Sequence, residues 1–332
     1  MAASTSYTVV VGLVALGGVA GMTELGGGMR TAIEGSAHAE PARAIEGGPV
    51  AVSGQAAGLA RVVAHALDFL YFTPTGRTVQ GASRSLEPVY AQARRLYRGT
   101  IPGALRFEKD GAALSLLLPT GGDATLALHA AGAGGAAKPV PYVFFAPGVL
   151  GVSRQYTKLL DAIRARGLGV IAYDLPRITE YLPEVRRQWF LDAEAALRSA
   201  PWNLDHDRSF VVGHSAGAGL ALSALDDANG RGLVLIAPGW PDHADALVRS
   251  GLSTEKPVLS IGFGADTTAP VERFAKPVAE ARPHARYVEV PGATHGSVHD
   301  VGSAADARVV SEVADLIADF AAELGVRPRA GD

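Results

Sequence analysis

A serine flanked by glycines lies between a strand-like run and a run of small residues. Residues 213–217 read Gly-His-Ser-Ala-Gly; they follow the apolar residues 210–212 and precede the small residues 218–224. A serine on a sharp strand-to-helix turn presents its hydroxyl for attack, and the glycines relieve the crowding between strand and helix. We therefore interpret Ser215 as a nucleophile.

Two later strand-like runs end near residues that would complete a catalytic triad. Asp266 follows the run Val258–Phe263, and His295 follows the run 287–290, so nucleophile, acid and base occur in that order along the chain. The histidine would take the serine proton, and the carboxylate would orient the imidazole and stabilise its charge. The alternatives are Asp174 and Asp242 for the acid, and His299 and His284 for the base.

The oxyanion created by such an attack needs backbone N–H donors. One is predicted at Ala216, directly after the nucleophile, and the other at Val149, in the loop that follows the strand-like run 142–146. Three side chains near these loops are predicted to line a substrate site: Leu150, Tyr156 and Trp240. Packing inside the core is the alternative interpretation of Trp240.

Strand-like and helix-like patterns alternate from about residue 112 onward. Strand-like runs cover 113–118, 124–130, 142–146, 170–173, 209–212, 233–237, 258–263 and 287–290, and helical periodicity covers 156–166, 183–199, 216–228, 271–281 and 304–324. The first two runs predict a hairpin. The alternation that follows predicts an α/β fold with a mostly parallel central sheet and helices on both faces.

With these motifs in place, residues 112 to 324 resemble the α/β-hydrolase superfamily. More narrowly, they are similar to its dienelactone hydrolase-like branch, which includes cutinase-type polyester hydrolases, platelet-activating-factor acetylhydrolases and chlorophyllases. The resemblance is carried by Pro147-Gly148, Asp207-Arg208, the Gly-His-Ser-Ala-Gly segment, and residues 264–270 and 292–295. It implies the α/β-hydrolase fold, the triad Ser215, Asp266 and His295, and the oxyanion pair Val149 and Ala216.

The chain departs from this branch at the oxyanion pair. Cutinase-type enzymes have an aromatic residue where Val149 stands and usually a methionine where Ala216 stands, so an aromatic clamp for a polyester is not expected. Only 20 residues separate Ala237 from Val258, too few for a large cap domain, and we expect an open site.

Composition excludes several other classes of protein. The 332-residue chain has no cysteine, which rules out disulfides, a thiolate nucleophile and cysteine-bound metals. A net charge of −3 without a basic run argues against a nucleic-acid partner. Neither a metal nor an organic cofactor is expected.

The N-terminal third has a different character. We divide the chain into an apolar segment (1–40), a partly helical extension (41–111) and a catalytic domain (112–326). The apolar run 7–22 and the Ala-His-Ala sequence at 37–39 leave two interpretations open: a signal peptide of a secreted protein, or an ordered or interfacial segment of a cytoplasmic one. Helical periodicity at 52–72 and 88–97 favours packing against the hydrolase core over membrane docking.

The sequence therefore predicts a serine hydrolase that cleaves small or polymeric carboxylic esters through an acyl-enzyme intermediate. A thioesterase or a peptidase could use the same triad, and a non-catalytic binding protein could keep the same fold. The oligomeric state is not predicted.

Overall fold

The computed structural model describes residues 101, 103–109, 112–120, 139–148, 153–174, 183–228, 230–240, 244–250, 252, 255–300 and 305–326. The predicted segment 1–40, the predicted helices at 52–72 and 88–97, the predicted strand at 124–130 and the predicted domain boundary near 111 lie outside these residues.

Within the described residues, eight strands form one sheet. They are β1 (Leu105–Lys109), β2 (Ala112–Leu117), β3 (Val140–Ala146), β4 (Gly169–Asp174), β5 (Leu204–His214), β6 (Leu233–Ile236), β7 (Val258–Phe263) and β8 (Ala285–Val290), in the spatial order β1-β2-β4-β3-β5-β6-β7-β8. The pairs β1–β2 and β2–β4 are antiparallel, and all the others are parallel. The carboxyl ends of β3 and of β5 to β8 therefore meet at one edge of the sheet, where loops carry function in such folds.

Helices cover both faces of the sheet. They are α1 (Thr157–Arg164), α2 (Pro183–Arg198), α3 (Ala216–Ser223), α4 (Asp245–Ser250), α5 (Ala275–Glu280) and α6 (Ala307–Glu323). Successive side chains of a strand point to opposite faces, and in β3 the neighbours Phe144 and Phe145 belong to two separate apolar clusters. The first cluster includes Phe190 of α2, and the second includes Ile317 of α6. This arrangement confirms the predicted α/β-hydrolase fold with a mostly parallel sheet.

Several elements differ from their predicted bounds. Strand β2 pairs with β1 on one edge and with β4 on the other. It therefore forms its hairpin with the upstream β1 and not with the run 124–130. Helix α5 begins at Ala275 and not at 271, which places Pro277 in the first turn, where its missing N–H costs no helical hydrogen bond. Helix α3 ends at Ser223, earlier than predicted, and α4 was not predicted.

None of the helices in the described part of the chain is long and apolar enough to cross a membrane.

Candidate active site

Ser215 lies in the turn between β5 and α3. Its backbone has φ 54° and ψ −125°, a conformation that non-glycine residues rarely adopt and that costs about 1–3 kcal/mol. Two hydrogen bonds hold it there: Ser215 N–H donates to the Ile236 carbonyl at 3.0 Å, and Gly239 N–H donates to the Ser215 carbonyl at 3.1 Å. The end of the neighbouring strand β6 and the residues after it therefore fix the strained turn.

The two motif glycines are required by close backbone approach. A Cβ on Gly213 would lie 2.6 Å from the Ala218 Cα. A Cβ on Gly217 would lie 2.3 Å from the Pro147 carbonyl oxygen, in the loop after β3. Both distances are far below van der Waals contact, so any side chain would push the turn out of place.

The structure brings the three predicted triad residues together. The Ser215 Oγ lies 2.8 Å from His295 Nε2, and His295 Nδ1 lies 2.7 Å from Asp266 Oδ2. These residues follow β5, β8 and β7 respectively; β7 and β8 are neighbours, and β6 lies between β5 and β7. Ser215 is 2 % exposed, and the side chain of Asp266 has no exposed surface.

The two carboxylate oxygens of Asp266 have different partners. Oδ1 accepts the backbone N–H groups of Thr268 and Ala269, each at 2.8 Å. Oδ2 faces His295 Nδ1, and because a carboxylate only accepts, that nitrogen carries the proton. His295 Nε2 then carries no proton and can accept the proton of the Ser215 hydroxyl.

His295 is held by the backbone that surrounds it. It begins a short 3-10 turn, His295–Val298, which is closed by a reciprocal capping box between Thr294 and Ser297. Ala265 N–H also donates to the Ala293 carbonyl at 2.9 Å, which joins the loop after β7 to the loop after β8. Asp266 and His295 are thus fixed relative to each other.

The alternative residues that lie among the described ones do not join this chain of hydrogen bonds. Asp174 Oδ1 accepts Ser153 N–H at 2.7 Å. His284 is 60 % exposed beside Glu255, and His299 Nε2 lies 2.9 Å from the Tyr156 hydroxyl. Asp242 lies outside the described residues.

One of the two predicted oxyanion donors, Ala216, lies among the residues that the structure describes. Ala216 is the first residue of α3, and an N–H at that position has no acceptor within the helix and lies at the positive end of the helix dipole. Val149, the other predicted donor, and Leu150 lie outside the described residues. The Gly148 N–H donates to the Tyr156 hydroxyl at 2.9 Å, so it is not directed at an oxyanion.

The structure corrects the predicted position of Tyr156. Its side chain does not line a substrate site: Tyr156 is 1 % exposed, and its hydroxyl is buried against Gly148, His214 and His299. A 3-10 turn, Ser153–Tyr156, precedes α1 and directs this ring under the loop after β3. There it meets Phe145 edge-on, with ring centroids 4.8 Å apart.

Trp240 both packs in the core and borders a cavity. It is 8 % exposed, its indole N–H donates to Asp245 Oδ1 at 2.7 Å, and its ring meets Phe274 edge-on. It also lines a small, mostly apolar cavity that reaches Ala216. Both interpretations of the sequence therefore describe part of its surroundings.

Two histidines that the sequence did not assign to the site complete this region. The ring centroid of His214 lies 5.0 Å from that of His295 and 4.7 Å from that of His299. Burial, and next the imidazole of His299, hold the pKa of His214 well below its ordinary value. Burial and the neighbouring His295 lower the pKa of His299 to about 3. Both rings are therefore neutral at pH 7.

Within the part of the chain that the structure describes, no group of three or more His, Asp or Glu side chains is arranged to hold a metal ion.

No protein-family model matches this chain, and no match was found among curated proteins. Among solved structures, it is similar to native esterase 2 of Thermogutta terrifontis, with 19% identity, 71% of this chain and 98% of that chain covered, and a TM-score of 0.48. It is also similar to Est1E from Butyrivibrio proteoclasticus (15% identity, 68% and 100% covered, TM-score 0.47) and to the esterase domain of a Rhodothermus marinus protein (15%, 66% and 97%, 0.48). At TM-scores below 0.5 these likenesses decide nothing about the reaction.

Proposed function

We propose that the protein is a serine hydrolase that cleaves carboxylic esters through an acyl-enzyme intermediate. The observation that carries this proposal is the continuous chain from Ser215 Oγ through His295 to Asp266, with links of 2.8 and 2.7 Å, beside the free N-terminus of α3. A non-catalytic binding protein has no need for a strained serine aligned with a base and an acid.

In the first half-reaction, Ser215 Oγ attacks the carbonyl carbon and its proton moves to His295 Nε2. Asp266 Oδ2 keeps the other imidazole proton on Nδ1 and stabilises the imidazolium. The carbonyl oxygen becomes an oxyanion that accepts the Ala216 N–H and a second N–H from the loop after β3, which we assign to Val149. The tetrahedral intermediate then expels the alcohol oxygen, which takes the proton from Nε2.

In the second half-reaction, water replaces the alcohol. His295 Nε2 takes a proton from the water, the hydroxide oxygen attacks the acyl carbon, and the bond to Ser215 Oγ breaks. Ser215 recovers its proton from His295, and the carboxylic acid leaves. Every proton that moves in the cycle passes through Nε2, the nitrogen that faces Ser215.

The segment between β6 and β7 supports an open site. Its one described helix, α4, has six residues, which leaves no room for a large cap among the residues described there. We assign the chain to the dienelactone hydrolase-like branch on the motifs of residues 147–148, 213–217, 264–270 and 292–295. We expect the substrate to be a small-molecule or polymeric ester.

The test is hydrolysis of p-nitrophenyl esters from acetate to palmitate, together with labelling by a fluorophosphonate. The wild type should turn over esters and become labelled, and Ser215→Ala should do neither. Ser199→Ala is the matched control, because the Ser199 hydroxyl only donates to the Ala196 carbonyl near the end of α2. A wild type without turnover and without label would overturn the proposal in favour of a binding protein.

A further inference from the structure

The Tyr156 hydroxyl is the centre of a buried polar cluster directly behind the nucleophile. It accepts the Gly148 N–H at 2.9 Å and lies 2.9 Å from both His214 Nδ1 and His299 Nε2. The two imidazole nitrogens are 3.2 Å apart, so the three side-chain atoms form a closed triangle. None of these contacts takes part in the reaction steps described above.

The protons in this cluster can be counted. A tyrosine hydroxyl has one proton to donate and two lone pairs. One lone pair accepts the Gly148 N–H, and the triangle is satisfied when one imidazole nitrogen donates to the hydroxyl and the other accepts its proton. Two neutral imidazoles meet this requirement, because each has one N–H and one bare nitrogen.

We propose that Tyr156 is the positioning residue of the oxyanion loop, and that His214 and His299 hold its hydroxyl in place. This inference rests on the proposed function. The peptide group between Pro147 and Gly148 is planar, so holding its two ends fixes the plane from which the chain continues through Gly148 toward the assigned donor, Val149.

Both ends of that peptide group are held. Its N–H is bound to the Tyr156 hydroxyl, and its carbonyl oxygen lies against Gly217, where a Cβ would approach to 2.3 Å. A Cβ on Gly148 would lie 2.9 Å from the Tyr156 hydroxyl and 3.3 Å from the Ser215 Cβ. Gly148 thus lies between Ser215 and Tyr156, too close to both for a side chain at this position.

Tyr156 is itself anchored independently of the loop. The 3-10 turn that carries it begins at Ser153, whose N–H donates to Asp174 Oδ1 at 2.7 Å and whose hydroxyl donates to the Tyr173 carbonyl at 2.9 Å. The end of strand β4 therefore sets the position of the hydroxyl. The low pKa values of His214 and His299 keep both rings in the neutral form that the triangle requires.

The test compares Tyr156→Phe with Tyr142→Phe. Tyr142 is a matched control because it is also buried and its hydroxyl lies 2.8 Å from His206 Nδ1, but it lies in β3 away from the nucleophile. Removing one oxyanion donor outright lowers kcat by about 100- to 1000-fold, so a donor that is present but misaligned should cost about 10- to 100-fold. We expect that loss in kcat for Tyr156→Phe, with KM within about threefold, and no loss for Tyr142→Phe.

A second measurement separates positioning from loss of stability. A trifluoromethyl ketone that forms an oxyanion on Ser215 should bind Tyr156→Phe more weakly by the same factor as the loss in kcat, because both depend on the oxyanion donors. The product carboxylic acid should bind with unchanged affinity. Equal weakening of both ligands, or a kcat within about threefold of the wild type, would overturn the positioning role.

A second pair of variants serves if Tyr156→Phe does not fold. His299→Gln keeps a polar group near the position of Nε2 and should retain most of kcat, whereas His299→Leu removes it and should lose about 10-fold or more. Equal activity of these two variants would contradict the inference.

If Ser215→Ala retains wild-type turnover, the proposed function itself fails. If turnover depends on Ser215 but not on Tyr156, only the positioning role fails.

Discussion

The substitution Asp266→Asn separates the two roles of the Asp266 carboxylate. An asparagine carbonyl can still accept the N–H groups of Thr268 and Ala269, which Oδ1 now accepts at 2.8 Å. In place of Oδ2, however, an NH2 group would face His295 Nδ1 at about the present 2.7 Å. Two donors cannot share that contact, so the imidazole would keep its proton on Nε2, the nitrogen that must accept from Ser215.

The magnitude follows from this change of tautomer. With Nε2 protonated, Ser215 has no base, although the oxyanion donors and the substrate site are intact. The same substitution in a Ser-His-Asp triad on another fold lowers kcat by about 10⁴-fold, which is about 5 kcal/mol of activation free energy. We expect a loss of this order at pH 7, with a melting temperature close to that of the wild type because the Oδ1 contacts survive.

The assay is the steady-state hydrolysis of p-nitrophenyl butyrate at pH 7, with the melting temperature measured on the same samples. Asp205→Asn is the matched control, because the Asp205 carboxylate also accepts a backbone N–H, that of Arg208 at 3.0 Å. Asp205 lies near the beginning of β5, at the opposite end of that strand from Ser215. The activity of Asp205→Asn should equal that of the wild type. A loss of less than 10-fold in a folded Asp266→Asn variant would refute the assignment of Asp266 as the orienting acid.

Two further predictions concern stability. Gly217→Ala would place a Cβ 2.3 Å from the Pro147 carbonyl oxygen, so we expect urea denaturation to show a loss of about 1–3 kcal/mol and ester hydrolysis to fall with it. The pKa of His299 is lowered to about 3 in the folded protein and is about 6.5 in the unfolded chain. Between these two pH values the unfolded chain binds a proton at this residue and the folded chain does not. The free energy of unfolding therefore falls as the pH is lowered through this window. The slope from this residue is at most about 1.4 kcal/mol per pH unit, and denaturation of His299→Gln between pH 6.5 and 4.5 should show a shallower dependence.

Each of these predictions has an outcome that contradicts it. Unchanged stability and activity of Gly217→Ala would mean that the loop after β3 does not press on the turn at Ser215. The pH experiment compares His299→Gln with the wild type over the same pH range. A His299→Gln variant as acid-sensitive as the wild type would show that His299 does not stay neutral in the folded protein.

The sheet and the meeting of Ser215, Asp266 and His295 could be predicted because their signals are local. Each of the three residues follows an apolar run within a few positions, and the chain order of Ser215, Asp266 and His295 places them at carboxyl ends of parallel strands in one sheet. The crowding that requires glycine at 213 is also local to the turn, whereas the crowding at 217 comes from the loop after β3. Each apolar run and the glycine-flanked serine can therefore be recognised within a short stretch of sequence.

The cluster behind the nucleophile could not be predicted in this way. The Tyr156 hydroxyl meets His214 and His299, which are 58 and 143 residues away along the chain, and no periodicity connects such positions. The sequence predicts that Tyr156 lines a substrate site, because the pattern of residues does not show to which side its ring points. Its burial depends on the 3-10 turn at Ser153–Tyr156.

The missed elements have weak local patterns for physical reasons. Strand β1 reads Leu-Arg-Phe-Glu-Lys and is largely exposed at the edge of the sheet, so it lacks the continuous apolar run of a central strand. Helix α4 has six residues and one buried side chain, Val248, too short for a helical period to appear.

The most direct test of the central claim is to trap the acyl-enzyme. The protein is mixed with excess p-nitrophenyl acetate, quenched in acid during the first turnover, digested, and analysed by mass spectrometry. The mechanism predicts one acetyl group per chain, on the peptide that contains Ser215, and no acetylated peptide from Ser215→Ala. Rapid release of p-nitrophenol with the acetyl group on another residue, or with the same adduct in Ser215→Ala, would contradict it.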